Sequence, residues 1–471
     1  MKMQSLLIDG QWVPTPTSFE VTDPWSGAVV GAAAQASAAD VRHAIAAAVA
    51  AGRQPYPAHE RARILYQAAT LVRERAEEFA HTIRLEAGKP ITAARGEVTR
   101  AVDTLQLSAE AAKNLAGVTV PMDAVTAGVG LIGFEVPQPR GVVAAITPFN
   151  FPLNLVAHKV GPAIAAGCTV VLKPSEKTPL TAGLFAQAFI DAGLPGGRLN
   201  LVTGAPGLVV GEMVGDDDVA VLTFTGSAEV GWKLKADSPR KFHILELGSN
   251  TAMVVAADAD LDKAAAAAIA SSFTFAGQTC ISLQRIYVHD SVAHEFLQRL
   301  TKAASDLPTG NPDDPSTVVG PLITHQARDR VASWIRDALS EGAILHCGAD
   351  IVDGVLRPTV LSDVPATATI IREEAFGPVV SVNRFDRIDD AISAANQSRY
   401  GLNTAIYTSD IASAMAYAHR AEAGTVLINT PPAFRADHMP YGGVKDSGQG
   451  REGVPYAVRE LTDPKLIIIP A

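Results

Sequence analysis

Apolar residues recur at three- and four-residue spacing among charges through residues 59–86 and 90–116, and the stretch Asp40 to Ala51 is rich in alanine. These patterns predict a mostly helical segment over 38–116, with Asp40 as the N-cap of its first helix. After Gly117 the character changes: residues 118–143 are rich in Val, Gly and Pro, which predicts extended strands. From Gly141 onward, short β-branched runs alternate with helical patterns. Val142–Ile146 is followed by an amphipathic stretch through Ala166, Cys168–Lys173 precedes a helix from Thr181 to Ala192, and Leu199–Val202 and Val219–Phe224 repeat the theme. A second series begins at Thr251–Val255 and runs to about Thr430, which places a domain boundary near Leu247 to Asn250. Strands alternating with helices predict an α/β fold whose parallel sheets are covered on both faces. The last run, Lys465–Ile469, is strongly β-prone, and an edge strand of that kind calls for cover, expected here from another subunit.

Composition narrows the class. The chain has 471 residues, 48% of them hydrophobic and 19% charged, with 38 Gly and 30 Pro, the make-up of a soluble globular protein of two or three domains. Its formal net charge is −10 and no cluster of Lys and Arg stands out, which argues against a nucleic-acid partner. The apolar run near Met1 is too short for a signal segment, and no stretch approaches the ~20 apolar residues that span a bilayer. Three widely spaced cysteines, Cys168, Cys280 and Cys347, form neither a disulfide framework nor a metal knuckle. No metal is expected, and a reducing, cytoplasmic setting is.

Candidate chemistry centres on Cys280, at the end of Phe275-Ala276-Gly277-Gln278-Thr279-Cys280 and 34 positions after Glu246. A thiol attacks a carbonyl and a carboxylate activates the water that releases the product, although a lone cysteine is more often a small buried hydrophobe. Gly128-Val129-Gly130-Leu131-Ile132-Gly133 matches a dinucleotide fingerprint, but Pro137 and Pro139 forbid the helix that must follow. Phe224-Thr225-Gly226-Ser227-Ala228-Glu229-Val230-Gly231 is a better phosphate site: it follows a strand, Gly226 allows close approach, and Ser227 is placed to cap a helix. Lys173-Pro174-Ser175-Glu176 also follows a strand. Glu176 there suits two ribose hydroxyls, which favours NAD over NADP, while Lys173 weakens the preference.

These segments occur in a fixed order with Ile146-Thr147-Pro148-Phe149-Asn150-Phe151-Pro152, Glu246-Leu247-Gly248-Ser249-Asn250, Glu373-Glu374-Ala375-Phe376-Gly377-Pro378 and Pro440-Tyr441-Gly442-Gly443-Val444-Lys445-Asp446-Ser447-Gly448. Across nearly its whole length the chain resembles the aldehyde dehydrogenase superfamily. Ser249 is a departure, standing where many members have a second glycine, and it leaves Glu246 in place. The resemblance implies two Rossmann-like parallel-sheet domains plus a small β oligomerisation element. Residues 1–119 and 142–248 would bind the dinucleotide, 249–451 would carry the nucleophile, and 120–141 with 452–471 would bridge subunits of a homodimer or homotetramer.

It further implies NAD(P)-dependent oxidation of an aldehyde through a thiohemiacetal and thioester on Cys280. Asn150 would donate to the oxyanion with the Cys280 backbone N–H, Glu246 would be the hydrolytic base, and Lys159 and Glu452 would relay protons. Cofactor contacts are implied for Ile146, Thr147, Pro148, Phe149, Lys173, Ser175, Glu176, Gly207, Phe224, Gly226, Ser227, Val230, Leu247, Glu374 and Phe376. Substrate contacts are implied for Phe151, His158, Thr279, Ile281, Phe434 and Arg435. His158 and Arg435 suit a short anionic or hydroxylated aldehyde such as lactaldehyde, phosphonoacetaldehyde or succinate semialdehyde. Arg285 reads as structural. Two alternatives stand beside this: a CoA-acylating relative, which would generally lack the base, and a non-catalytic NAD-binding member of the fold.

Overall fold

The computed structural model describes residues 2–471. Helices Ala38–Gly52, Ala58–Glu74, Ala76–Ala87 and Ile91–Asn114 fill the predicted helical segment. The first is capped by Ser37, not Asp40: Asp40 is the third helical residue, its carboxylate accepts from the Ser37 backbone, and the Ser37 hydroxyl accepts from the Asp40 N–H. The segment 59–86 divides at Arg75, which leaves helical geometry at φ −101° and ψ 21°.

Five parallel strands form the centre of an eight-stranded sheet. In spatial order they are Phe242–Glu246, Val219–Thr225, Val142–Ile146, Thr169–Lys173 and Leu199–Leu201. Strand order reverses between Val142–Ile146 and Val219–Thr225, which opens a crevice at their carboxyl ends, where α/β sheets bind ligands. Gly448–Gln449 closes one edge antiparallel to Phe242–Glu246, and Leu6–Ile8 with Gln11–Val13 closes the other. The helix Asn154–Ala166 is not amphipathic as its sequence suggests: every residue of it is buried, because it lies between this sheet and the helices Ile91–Asn114 and Val454–Glu460.

Residues 247–250 cross to a seven-stranded sheet in the order Ile344–Cys347, Thr359–Ser362, Val379–Phe385, Leu283–His289, Thr251–Val255, Asn403–Tyr407 and Thr425–Ile428, parallel except for Ile344–Cys347. Arg285 is a brace within it, donating to the carbonyls of Asn250, Ala394 and Ala395.

A third, antiparallel sheet joins Thr119–Val120, Leu131–Pro139 and Thr462–Pro470. The glycine-rich decoy runs straight into its central strand. Between the first two strands, residues predicted as extended make tight turns at Met122–Ala124 and Thr126–Gly128. One edge of the C-terminal strand is covered by its own chain, pairing from Thr462↔Pro139 to Pro470↔Leu131. Its outer edge carries no strand among the described residues, and Leu466, Ile468 and Ile469 stay about half exposed. Among the described residues, no helix is long and apolar enough to cross a membrane, and no His, Cys, Asp and Glu cluster is arranged to hold a metal.

Candidate active site

Cys280 is delivered by a strained turn. The helix Leu261–Phe273 ends, and Phe275, Ala276 and Gly277 then all take the left-handed conformation, at φ 52°, 54° and 70°. At Gly277 a β-carbon would stand 2.3 Å from the Gly377 carbonyl oxygen, so packing as well as conformation demands glycine. Gly277→Ala is expected to destabilise the fold by about 3 kcal/mol, read as a lowered denaturant midpoint; an unchanged midpoint would show that the loop is free to shift. The Gln278 side chain clamps the turn by donating to the carbonyls of Phe275 and Pro321 and accepting from the Ile323 N–H. Asn150 Nδ2, buried, donates to the Gln278 carbonyl at 2.9 Å, which brings it to the Cys280 loop with one N–H to spare. The Cys280 sulfur lies 3.2 Å from the Tyr441 hydroxyl. Burial pushes its thiol up to about 11, against the pull of Tyr441 and Arg435 and with the push of Glu246 and Glu374.

Two carboxylates meet beside it in opposite states. Glu246 ends its strand, and both its oxygens are buried without a hydrogen-bond partner. Burial, followed by the charge of Glu452, raises its proton affinity well above the usual carboxylate range; Arg435, Lys159 and Arg451 only partly oppose this. Glu452 is buried too, but Lys159 and Arg435 outweigh that burial and hold it at about 2. Lys159 Nζ donates to Glu452 Oε1 at 2.8 Å and to Thr223 Oγ1 at 3.0 Å, and Arg435 Nη2 donates to Glu452 Oε2 at 3.2 Å. A fixed anion next to a carboxyl group that takes up protons readily is the arrangement of acid–base chemistry. Gly442 lets the backbone pass close to Glu246, since a β-carbon there would stand 2.9 Å from Oε1.

The crevice at the strand reversal fits a dinucleotide. Thr147 follows the strand ending at Ile146, Thr225 ends the neighbouring strand, and the hydroxyls of both are buried without a partner. Ser227 caps the helix Ala228–Asp237, accepting from the Val230 N–H, so its free N–H groups face the crevice with Gly226 before them. Leu247 packs on Gly231 where a β-carbon would clash, and the Phe224 ring packs under Gly226 in the same way. Lys173 Nζ lies 3.4 Å from Glu176 at the end of the next strand, and Ser175 Oγ accepts from the Lys177 N–H. Gly207 lies in the first turn of the helix Pro206–Gly215, with open space around it. Beyond Pro148, Phe149 meets Phe376 edge-on at 5.9 Å. Glu374 Oε1 accepts from the Ser249 N–H at 2.9 Å, and burial pushes its carboxyl up to about 7.

A pocket of about 340 Å³ opens above the sulfur, lined by Phe151, Thr279, Cys280, Ile281, Phe434, Arg435 and Tyr441 among others, and by Arg100 from the helix Ile91–Asn114.

The sequence profile of the aldehyde dehydrogenase family matches residues 12–467. The chain belongs to the aldehyde dehydrogenase family. It is an NAD(P)-dependent oxidoreductase that acts on an aldehyde. It is 42% identical over 470 residues to 3-sulfolactaldehyde dehydrogenase of Priestia aryabhattai, covering 100% of this chain and 98% of that one. It is 39% identical over 475 residues to the NADP-dependent succinate-semialdehyde dehydrogenase of Escherichia coli, covering 99% and 98%. Aldehyde dehydrogenase 21 of Physcomitrella patens, solved with its reaction product succinate, superposes with a TM-score of 0.97 at 37% identity over 100% of this chain and 98% of that one.

In this aldehyde dehydrogenase, one expected substrate residue is displaced. His158 does not line the pocket: it is buried a layer behind, with Nε2 2.8 Å from Asp437 Oδ1. It stands one turn further along its helix than Asn154 and Leu155, which do line the pocket, and its ring meets internal partners instead. Asp437 also accepts from Arg100 Nη2 at 2.6 Å and from Asn154 Nδ2 at 3.3 Å. Sequence reasoning missed Arg100, Tyr441 and Asp437 as members of the site. Tyr441 stands in a segment the resemblance already used, so its hydroxyl was a readable signal. Arg100 lies in a charged helical stretch with nothing local to mark it.

Proposed function

We propose that this enzyme oxidises a short aldehyde bearing a carboxylate, sulfonate or phosphonate, with Cys280 as the nucleophile. The observation that carries the substrate class is that Arg100 and Arg435 are the two charged residues of the pocket lining, each anchored by a carboxylate outside that lining, Arg100 by Asp437 and Arg435 by Glu452. Arg435 keeps a buried Nε–H without a partner, and guanidinium binds such anions as a planar fork. Relatives named for sulfolactaldehyde and succinate semialdehyde support the same class.

In this reading the Cys280 thiol loses its proton to bulk water and the sulfur forms a bond to the aldehyde carbon. The spare Asn150 N–H and the Cys280 backbone N–H receive the oxyanion. A nicotinamide held in the crevice of Thr147, Thr225 and the Ser227-capped helix would supply the hydride acceptor. The acyl group stays on Cys280 as a thioester, Glu246 takes a proton from the attacking water, and Lys159 with Glu452 sets the field around that base. Residues 1–119 and 142–248 would serve the cofactor, and 249–451 the thiol chemistry. Residues 120–141 and 452–471 would form the contact of a homodimer or homotetramer, supported by the open edge of Thr462–Pro470.

The test is the appearance of reduced nicotinamide with NAD or NADP over a panel of aldehydes: succinate semialdehyde, 3-sulfolactaldehyde, phosphonoacetaldehyde, lactaldehyde and propanal. Anionic members are expected to be favoured in kcat/KM. Arg100→Leu is expected to raise KM for them by roughly 10- to 100-fold, the loss of a charged hydrogen bond, while propanal is little affected. Equal effects on charged and neutral aldehydes would overturn the assignment.

A further inference from the structure

We propose that Tyr441 is a further catalytic residue: its phenol O–H donates to the Cys280 sulfur and stabilises the attacking thiolate, with Arg435 bracing the ring. This rests on the reading of Cys280 as nucleophile. The hydroxyl lies 3.2 Å from Sγ, within hydrogen-bond reach of sulfur. Tyr441 is only 1% exposed, and among the described residues Cys280 Sγ is the partner its hydroxyl finds. A buried phenol without a partner would be costly, so the bond is kept. A thiolate has lone pairs and no proton, so the donor in the reactive state is the tyrosine.

The geometry is held from three sides. The Tyr441 N–H donates to the Glu452 carbonyl at 3.0 Å, and the Glu452 N–H donates to the Tyr441 carbonyl at 2.7 Å. The Arg435 guanidinium lies 3.8 Å from the ring centroid, and Glu452 anchors that guanidinium. The sulfur is thereby tied to the Lys159–Glu452–Arg435 cluster through one aromatic ring.

Four groups act on the charge of Cys280: Tyr441, Arg435, Glu246 and Glu374. The two carboxylates oppose a thiolate, so Tyr441 and Arg435 are what the site offers in its favour. Burial holds the Tyr441 hydroxyl well above its ordinary range, which keeps it protonated and able to donate. On attack the S–C bond forms as the carbonyl π pair moves onto oxygen, the thiol proton is lost to bulk water, and Tyr441 retains its own proton throughout.

The test is the pH profile of Cys280 alkylation by iodoacetamide in the full-length enzyme, followed by mass spectrometry of the Cys280 peptide. Tyr441→Phe removes only the hydroxyl. It is expected to move the midpoint up by about one pH unit and to slow alkylation at neutral pH about tenfold, with the acid limb of kcat/KM moving the same way. Arg435→Lys, which keeps the charge and loses the stack, is expected to give a smaller upward move and serves if Tyr441→Phe does not fold. An unmoved midpoint in the folded variant overturns the proposal, even where turnover has fallen through altered packing. The underlying reading fails separately, through retained turnover in Cys280→Ala.

Discussion

Cys280→Ala is expected to lose aldehyde oxidation by at least about 10⁴-fold while still binding the nicotinamide cofactor. The size follows from removing the group proposed to form a bond to substrate, since loss of a covalent nucleophile leaves only the catalysis that binding and the oxyanion donors provide. Cofactor binding survives because the crevice at the strand reversal is built from other residues: Thr147, Thr225 and the Ser227-capped helix. The measurements are steady-state absorbance of reduced nicotinamide and a fluorescence titration with the cofactor. The other two cysteines give the control. Cys168 donates to the Leu461 carbonyl in the buried core, and Cys347 lies beside the Pro358 carbonyl on the far edge of the second sheet. Neither lines the pocket, so Cys168→Ser and Cys347→Ser are expected to turn over normally. Substantial turnover by Cys280→Ala would remove the thiol from the mechanism.

Much of this was readable in the sequence because it is local. β-Branched runs alternating with helical patterns are a property of neighbouring residues, and they announce a parallel sheet wherever they occur. The segments around Asn150, Glu246 and Cys280 mark strand ends and a turn at which polar residues follow apolar runs. What stayed hidden is what distant residues do to one another. The helix Asn154–Ala166 reads as amphipathic because it contains Asn154, His158 and Lys159, yet all three are buried with partners far along the chain. Lys159 reaches Glu452 across 293 positions, and His158 reaches Asp437 across 279. No local period distinguishes a polar residue facing water from one facing a buried counter-charge. The C-terminal strand shows the same limit: its composition marks an edge in need of cover, but that Leu131–Pro139 supplies the cover is a fact of topology. Function was more legible than geometry for that reason, since the chemistry sits in short segments and its tuning in long-range pairs.

Glu246→Gln should separate the two halves of the reaction. With the proposed base removed, acylation of Cys280 should proceed and thioester hydrolysis should not. A rapid burst of about one reduced nicotinamide per site is therefore expected, followed by a steady state slowed roughly 10²- to 10⁴-fold. The wild-type steady-state rate is expected to rise with pH as Glu246 loses its proton. That rise should lie above the ordinary carboxylate range, because burial and the charge of Glu452 raise its affinity for the proton. In Glu246→Gln this limb should be absent. Stability discriminates further. A carboxyl group whose folded affinity for protons exceeds its unfolded one makes the fold bind more protons than the unfolded chain, so its contribution falls as pH rises through that interval. The glutamine carries no charge to bury, so the variant should unfold at a denaturant midpoint no lower than wild type at mildly alkaline pH. Slow turnover in a protein of undiminished stability then locates the defect in hydrolysis. Loss of the burst as well as the steady state would place Glu246 in acylation instead, and a wild-type steady state would dismiss it as the base.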